Sequence, residues 1–544
     1  MKKFLLRSAA LLLLCCFIAG CGTQSRPPAA PTGSDGQQVH TIKVLGPFNP
    51  AADVLFTERE EYPVWGMFMD LLDKGGVSLD FEVVPRDQYE LVVQTRMASA
   101  TDLPDLVQLT PLDMLTAVNL GKSGIIQDVM PILNRPDAAP AKNYLTENYD
   151  FMFKANTTPE GPMYWVTAAF KRSYGNDFRS SCQLMTIRKD WIDLVGMEMP
   201  KTANDFYLAL KAFREFDVNG NGIEDEFLHS SVTNFYTGIA QWYGLPAWPS
   251  SLDLYNKKAI SPWYQPGVKD YFAFMQLLVE ENLLDVSLIG APGEQLDQKV
   301  ANNQIAALNT YISQGWFEPS VIDPNTEPMY VACIINEPVS GRTTPAIMEE
   351  PPFLTWNRYA FTNKADPAAA AALLNIIWTD EYRIIAQWGV EGYTYDIVDG
   401  EWIPYSFPGG NAQRKETRGA TLNNFVQNFM LPSSNINMYE TEINQVRDRG
   451  HGVKAETIEV VMSLPISFSD AEHSYRGMPN EQQLEEKNAI LADLTTYSSE
   501  LITRLILGQS SLNDWDKYMA DFDRLKLPRL LEIDQELHDA FNNF

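Results

Sequence analysis

From Thr41 to Val107 the chain switches between two hydrophobic periods, and that switching restricts its fold more than any other feature. Thr41 to Leu45 reads as a short strand, and the apolar-rich Val64 to Leu72 reads as a helix. Leu79, Phe81 and Val83 alternate with polar residues, the period of two that a half-buried strand requires. Asp87 with Glu90 three residues on has the form of a capping box and predicts a helix through Met97. Leu103 to Val107 begins another strand. Strand, helix, strand at this spacing favours parallel strands joined by crossover helices, so the body is expected to be α/β.

The middle of the chain is helix-rich. Thr202 and Asp205 form an N-cap pair, and Phe206, Ala209, Leu210 and Phe213 follow at i, i+3, i+4 and i+7. Tyr271, Phe274, Met275 and Leu278 repeat that spacing, which predicts two amphipathic helices buried on one face. Asp366-Pro367 before five alanines marks a helix start with proline at its first position. Ser511 to Asp514 caps a further helix carrying Trp515 and Tyr518. No repeat period is visible.

The first residues bear on location. Lys2, Lys3 and Arg7 precede the apolar run Ala9 to Ile18, then Ala19-Gly20-Cys21. A basic start, a short apolar stretch and small residues before a cut describe a secretory signal. The apolar stretch is about half the ~20 residues that cross a bilayer. Cysteine after Ala19-Gly20 resembles the bacterial lipobox, in which the thiol takes fatty acyl chains such as palmitate and the chain is cut before it. Residues 1–20 are then the signal peptide, and residues 21–40 are the lipidated Cys21 and a tether. Gly22 to His40 holds Pro27, Pro28 and Pro31 among Ser, Gly, Thr and Gln, too few apolar groups to offset ordering entropy. As a flexible coil it would span roughly 25 Å.

Loss of three basic residues with the signal peptide takes the net charge from −28 to −31. Such a charge argues against nucleic acid and against adhesion to anionic lipid, both of which need clustered Lys and Arg. Three cysteines remain, Cys21, Cys182 and Cys333, and whether the last two are bonded is open. One pair is no disulfide framework.

Asp217-Val218-Asn219-Gly220-Asn221-Gly222-Ile223-Glu224-Asp225-Glu226 follows the predicted helix directly. Oxygen side chains at positions 1, 3 and 5, with glycine at 6, make the first half of an EF-hand-type loop. The carbonyl of Ile223 would serve at position 7. Position 12 is Leu228 in place of glutamate, and Asp225 and Glu226 could supply the missing carboxylates. The pattern predicts structural Ca²⁺ held by Asp217, Asn219, Asn221, Ile223, Asp225 and Glu226; the plain alternative is a polar Asx/Gly turn.

Several stretches together resemble a known family: Ala100-Thr101-Asp102-Leu103-Pro104-Asp105, Gly124-Ile125-Ile126-Gln127-Asp128 and Ile187-Arg188-Lys189-Asp190-Trp191, with Trp388 to Tyr393 and Gly508 to Tyr518 further on. In this order they resemble the extracellular solute-binding lipoproteins of carbohydrate ABC importers, in particular the large Gram-positive branch, over residues 41–544. The resemblance implies a type II periplasmic-binding-protein fold, two α/β lobes with a ligand cleft between them. Lobe one would take about 41–155 and 335–400, and lobe two about 156–334 and 401–544. It also implies a calcium site at the Asp217 loop, as in alginate-binding members. The partners implied are an oligosaccharide and ABC permease subunits, for a monomer that is no enzyme and meets the membrane only through its lipid anchor.

A sugar offers hydroxyls to polar side chains and a C–H face to aromatic rings. Tyr164-Trp165 follows the turn at Pro159 to Pro162, and Trp242-Tyr243, Trp248, Trp263-Tyr264, Trp316 and Trp356 lie on or beside Gly/Pro-rich stretches. These are candidate stacking residues, with Trp165 expected to matter more for ligand binding than for folding. Asp105, Glu349, Asn357 and Arg358 are candidate hydroxyl partners. The competing readings are a surface-anchored glycoside hydrolase and a sugar sensor without transport. Adjacent acids such as Glu349-Glu350 are inevitable among 70 acidic residues and do not favour the hydrolase.

Overall fold

The computed structural model describes residues 39–48, 55–171, 183–229, 238–289, 293–311, 330–342, 348–349, 353–405, 410–426, 431, 434–436, 467–470 and 476–543. The switching pattern at the start of the body resolves into three parallel strands. His40–Phe48 pairs in parallel with Val77–Pro85 on one side and with Leu106–Gln108 on the other. The crossovers are the helices Pro63–Lys74 and Arg86–Ser99.

The full sheet has six strands in the order Ser434–Ile436, Val166–Lys171, Phe353–Phe361, Leu106–Gln108, His40–Phe48, Val77–Pro85. Phe353–Phe361 runs antiparallel to both its neighbours. Period-two patterning sends alternate residues to two cores, as strand geometry dictates. Ile42, Val44, Leu106, Tyr359 and Phe361 enter one, with helices Pro63–Lys74 and Pro367–Ile377. Leu45, Val107 and Ala360 enter the other, with Tyr89, Val93 and Met97 of helix Arg86–Ser99. Helix Pro367–Ile377 starts as its sequence predicts, with the Asp366 carboxylate accepting from the Ala368 N–H. Arg86–Ser99 does not: Pro85 occupies its N-cap and no side chain caps it, because the helix begins where the strand ends.

A second sheet, in the order Tyr330–Ala332, Gln183–Arg188, Ile305–Tyr311, Phe227–His229, anchors the other large core. Helices Ala203–Glu215 and Val268–Glu280 bury their predicted apolar faces there. Met348–Glu349, Phe468–Asp470, Ser251–Asp253 and Lys258–Ile260 make a third, smaller sheet.

The two lobes divide differently from the boundaries expected at 155 and 400. Val166–Lys171 belongs to the first sheet, and Ala420, Leu422, Phe425 and Leu431 pack into the first lobe's core. Two C-terminal helices then tie the lobes together. Glu481–Ile506, about 39 Å long at 1.5 Å per residue, places Leu484 in the first lobe and Ile490 to Ile506 in the second. Leu527–Asn542 places Leu527 and Leu530 in the second lobe and Phe541 in the first. Among the described residues no helix is long and apolar enough to cross a membrane.

Candidate calcium loop and ligand cleft

The Asp217 loop joins helix Ala203–Glu215 to the edge strand Phe227–His229. The expected N-cap pair forms a capping box: the Thr202 hydroxyl accepts from Asp205 N–H, and the Asp205 carboxylate accepts from Thr202 N–H, both at 3.0 Å. Beyond its end Asp217 takes a φ of 46°, and Gly222 takes 77°, where glycine alone is unstrained. The chain then curls around the Asp217 carboxylate, whose oxygens accept from the N–H groups of Asn221 (3.1 Å) and Gly222 (2.9 Å). The Asn221 side-chain oxygen accepts from Ile223 N–H at 2.7 Å.

Asp225 collects three amide donors: Asn219 and Asn221 on Oδ1 at 2.8 and 2.9 Å, and Gln304 on Oδ2 at 2.6 Å. Burial works against its charge, but these donors more than offset it and hold the carboxyl below its ordinary range. Glu226 is in the opposite position. It is fully buried, and its Oε2 has no hydrogen-bond partner. Burial, then repulsion from Asp225 and Asp217, pushes its carboxyl upward. A buried carboxylate oxygen left unpaired is costly, and an oxygen-seeking cation would relieve it. The donor set is all oxygen, as Ca²⁺ prefers, and the Ile223 carbonyl faces the same turn, accepting from Asp225 N–H at 2.9 Å. The described residues hold no tight group of three His, Cys, Asp or Glu side chains, since the amides of Asn219 and Asn221 separate the acids. Gln304 had no signal in the loop's sequence; it arrives from the turn before the strand Ile305–Tyr311.

Most of the candidate stacking residues prove to be core. Trp165 is 1% exposed, and its indole N–H donates to Asn156 Oδ1 at 2.8 Å. Trp242 packs edge-on against Phe206 and donates to the Cys333 carbonyl. Tyr243 lies against Tyr271 and Phe274, and Trp263 against Phe272 and Phe522. Their large apolar rings are worth more buried than exposed, and nearby Gly and Pro only turn the chain. Tyr164 is also buried, though it lines an open depression of about 620 Å³ with Gln127, Asp128, Arg135 and Pro162. Gly121 makes room for it, since a Cβ there would stand 2.3 Å from the ring.

Asp105 is likewise corrected. Its carboxylate accepts from Lys43 N–H at 2.7 Å, at the amino end of Leu106–Gln108, where it serves as a backbone cap. Trp316, Cys182 and Cys21 lie outside the described residues, whereas Cys333 is a buried free thiol. Glu349 lies in the strand Met348–Glu349. Trp356 and Asn357 lie in the strand Phe353–Phe361, within the stretch where its pairing with Val166–Lys171 shifts register.

No family model matches the chain. Among characterised proteins it is 22% identical to lipoprotein LipO of Bacillus subtilis over 413 residues, 72% of this chain and 74% of LipO. It is 27% identical over 241 residues to the fructooligosaccharide ABC transporter substrate-binding protein FusA of Streptococcus pneumoniae, 43% of this chain and 42% of FusA. FusA in complex with kestose superimposes with a TM-score of 0.69 at 17% identity, covering 93% of this chain and all of FusA's. Alginate-binding protein AlgQ2, solved without calcium ion, gives 0.64 at 16% identity over 92% of this chain and 98% of its own. The fold is that of the ABC-transporter solute-binding proteins.

In a solute-binding protein, as in open α/β sheets generally, ligand lies in the crevice outside the carboxyl ends of the strands. In the first lobe that edge is reached by Phe48, by Leu109 to Asp113 and by Arg358, the one hydroxyl-partner candidate with a described side chain that the structure brings there. Arg358 is buried and donates to the carbonyls of Leu109 and Leu112, just past the end of Leu106–Gln108.

Proposed function

We propose that this protein is the lipid-anchored, extracellular solute-binding component of a carbohydrate ABC importer, capturing an oligosaccharide between its lobes and presenting it to membrane permease subunits. The observation that carries this reading is the two-lobed fold, shared with FusA in complex with kestose over 93% of the chain. Closure of lobes around ligand is a hinge motion of a familiar kind. Likeness to LipO, a lipoprotein, supports acylation at Cys21. The relatives are binding proteins, which favours a role without catalysis. Kestose is neutral and alginate acidic, so likeness alone leaves the charge of the ligand open.

The test is a titration calorimetry panel of plant and microbial oligosaccharides, with the sugar recovered afterwards and chromatographed. Binding at about micromolar Kd or tighter, near −8 kcal/mol, with sugar returned intact is the expected result. Shortened products would instead establish the hydrolase.

The same reading includes structural Ca²⁺ at the Asp217 loop, supported by the orphaned Glu226 oxygen and by a FusA structure described as an EF-hand mutant. The residues that would hold it are Asp217, Asn219, Asn221, Asp225, Glu226 and the Ile223 carbonyl. Bound there, the ion would neutralise the acids and fix helix Ala203–Glu215 to the strand Phe227–His229. Calcium at 100-fold above its Kd is expected to stabilise the protein by about 2.7 kcal/mol, and a chelator to remove that gain. Asp217→Ala should abolish the response. Identical melting curves with and without chelator would exclude the site.

A further inference from the structure

Among the described residues, no carboxylate pairs with a cation buried in the first lobe. Arg358 is 6% exposed; its Nη2 reaches only the backbone carbonyls of Leu109 and Leu112, and its Nε has no acceptor. Its guanidinium carbon stands 5.6 Å from the centre of the Trp165 ring, which walls off one side. A second arginine, Arg476, is 7% exposed and close enough to repel the first. Arg476 precedes Met478, which packs into the same core as Trp165, so the segment running into helix Glu481–Ile506 brings it to this spot.

The nearby carboxylate that attracts Arg358 is Asp113, and Asp113 is already engaged. Its oxygens accept from the Thr116 N–H and hydroxyl at 3.0 and 2.6 Å, capping the helix Met114–Lys122. Burial, with repulsion from Arg476, depresses Arg358 to about 10, so it remains charged at neutral pH.

Elsewhere the chain pairs its buried cations. Lys487 meets Asp534, and Arg188 meets Asp190. A chain with 70 acidic residues against 42 basic ones does not lack carboxylates. Among the described residues, none forms an ion pair with Arg358 or Arg476. Two adjacent, desolvated guanidiniums that no described carboxylate pairs with directly are costly, and an anion arriving from outside would relieve them. The pair sits at the carboxyl edge of the first sheet, where this fold takes its ligand. Guanidinium matches the planar carboxylate in two parallel hydrogen bonds.

We infer that Arg358 and Arg476 form an anion-recognition site and that the oligosaccharide this protein captures carries carboxylates, as a uronate-containing chain does. The inference rests on the carbohydrate-receptor reading above and names its substrate class.

Calorimetry with trigalacturonate and trimannuronate against galactotriose and mannotriose tests it on the full mature protein. One uronate trimer is expected to bind at least about tenfold more tightly than its neutral counterpart, and less tightly as salt is added. Arg358→Gln is expected to weaken uronate binding by about 10- to 100-fold, with Arg358→Lys restoring part of it. Circular dichroism checks folding, and Arg476→Gln gives the same reading should Arg358→Gln fail to fold. Neutral trimers binding as tightly as uronates, or both Gln variants leaving uronate affinity unchanged, would overturn the inference while sparing the receptor. Binding of neither uronate, with the broader panel yielding no ligand either, would overturn both.

Discussion

Lys487→Ala and Asp534→Ala are each expected to destabilise the protein by about 3–5 kcal/mol, read by urea unfolding followed through tryptophan fluorescence. Lys487 Nζ lies 2.6 Å from Asp534 Oδ1, with side chains 4% and 0% exposed. The second oxygen of Asp534 accepts from the Ser250 hydroxyl at 2.5 Å. Removing either charged partner leaves the other buried and unmatched, and that penalty exceeds what the pair itself contributes. The double change Lys487→Met with Asp534→Leu should therefore recover most of the loss, because it removes both desolvation costs together. The site matters beyond its own energy. Lys487 belongs to helix Glu481–Ile506 and Asp534 to Leu527–Asn542, the two helices that enter both lobes. Single variants costing less than about 1 kcal/mol would mean that water reaches the pair and that it behaves as a surface ion pair.

Local chemistry was largely legible where one segment carries its own signal, the capping box expected at Asp87 and Glu90 being the exception. Strand period at Leu79 to Val83, the capping box at Thr202 and Asp205, and Asp366-Pro367 each depend on residues within four positions of one another. So does the turn from Asp217 to Ile223, whose hydrogen bonds join near neighbours. The other failures depend on residues far apart. Glu481–Ile506 shows no single apolar stripe because its first turns face one lobe and the rest another. Ala420, Leu422, Phe425 and Leu431 pack in the first lobe's core, which no change of composition could have announced. The aromatics beside Gly and Pro were read as cleft residues because a turn in the chain was equated with exposure. Gln304 and Arg476 had no local signal at all; each gains meaning only from the group it approaches across the fold.

The same lesson carries the sharpest remaining expectation. Trp263→Ala is expected to destabilise the second lobe by about 3–5 kcal/mol. Trp263 stands on the short turn Pro262–Tyr264 yet is 1% exposed. Its ring stacks on Phe272 at 5.6 Å and 24°, meets Phe522 at 4.5 Å and Trp515 at 5.9 Å, and takes Trp248 edge-on at 6.3 Å. Phe272 comes from helix Val268–Glu280 and Phe522 and Trp515 from helix Trp515–Arg524, so truncation opens a cavity between elements that cannot collapse independently. The cost then has two parts, lost transfer energy and lost contacts around the void. Ligand affinity measured well below the lowered melting temperature should stay within about twofold, since distant sites couple by only about 0.3–0.5 kcal/mol. An unchanged melting temperature with tenfold weaker sugar binding would reverse the assignment, placing the ring against ligand and returning Trp263 to the cleft.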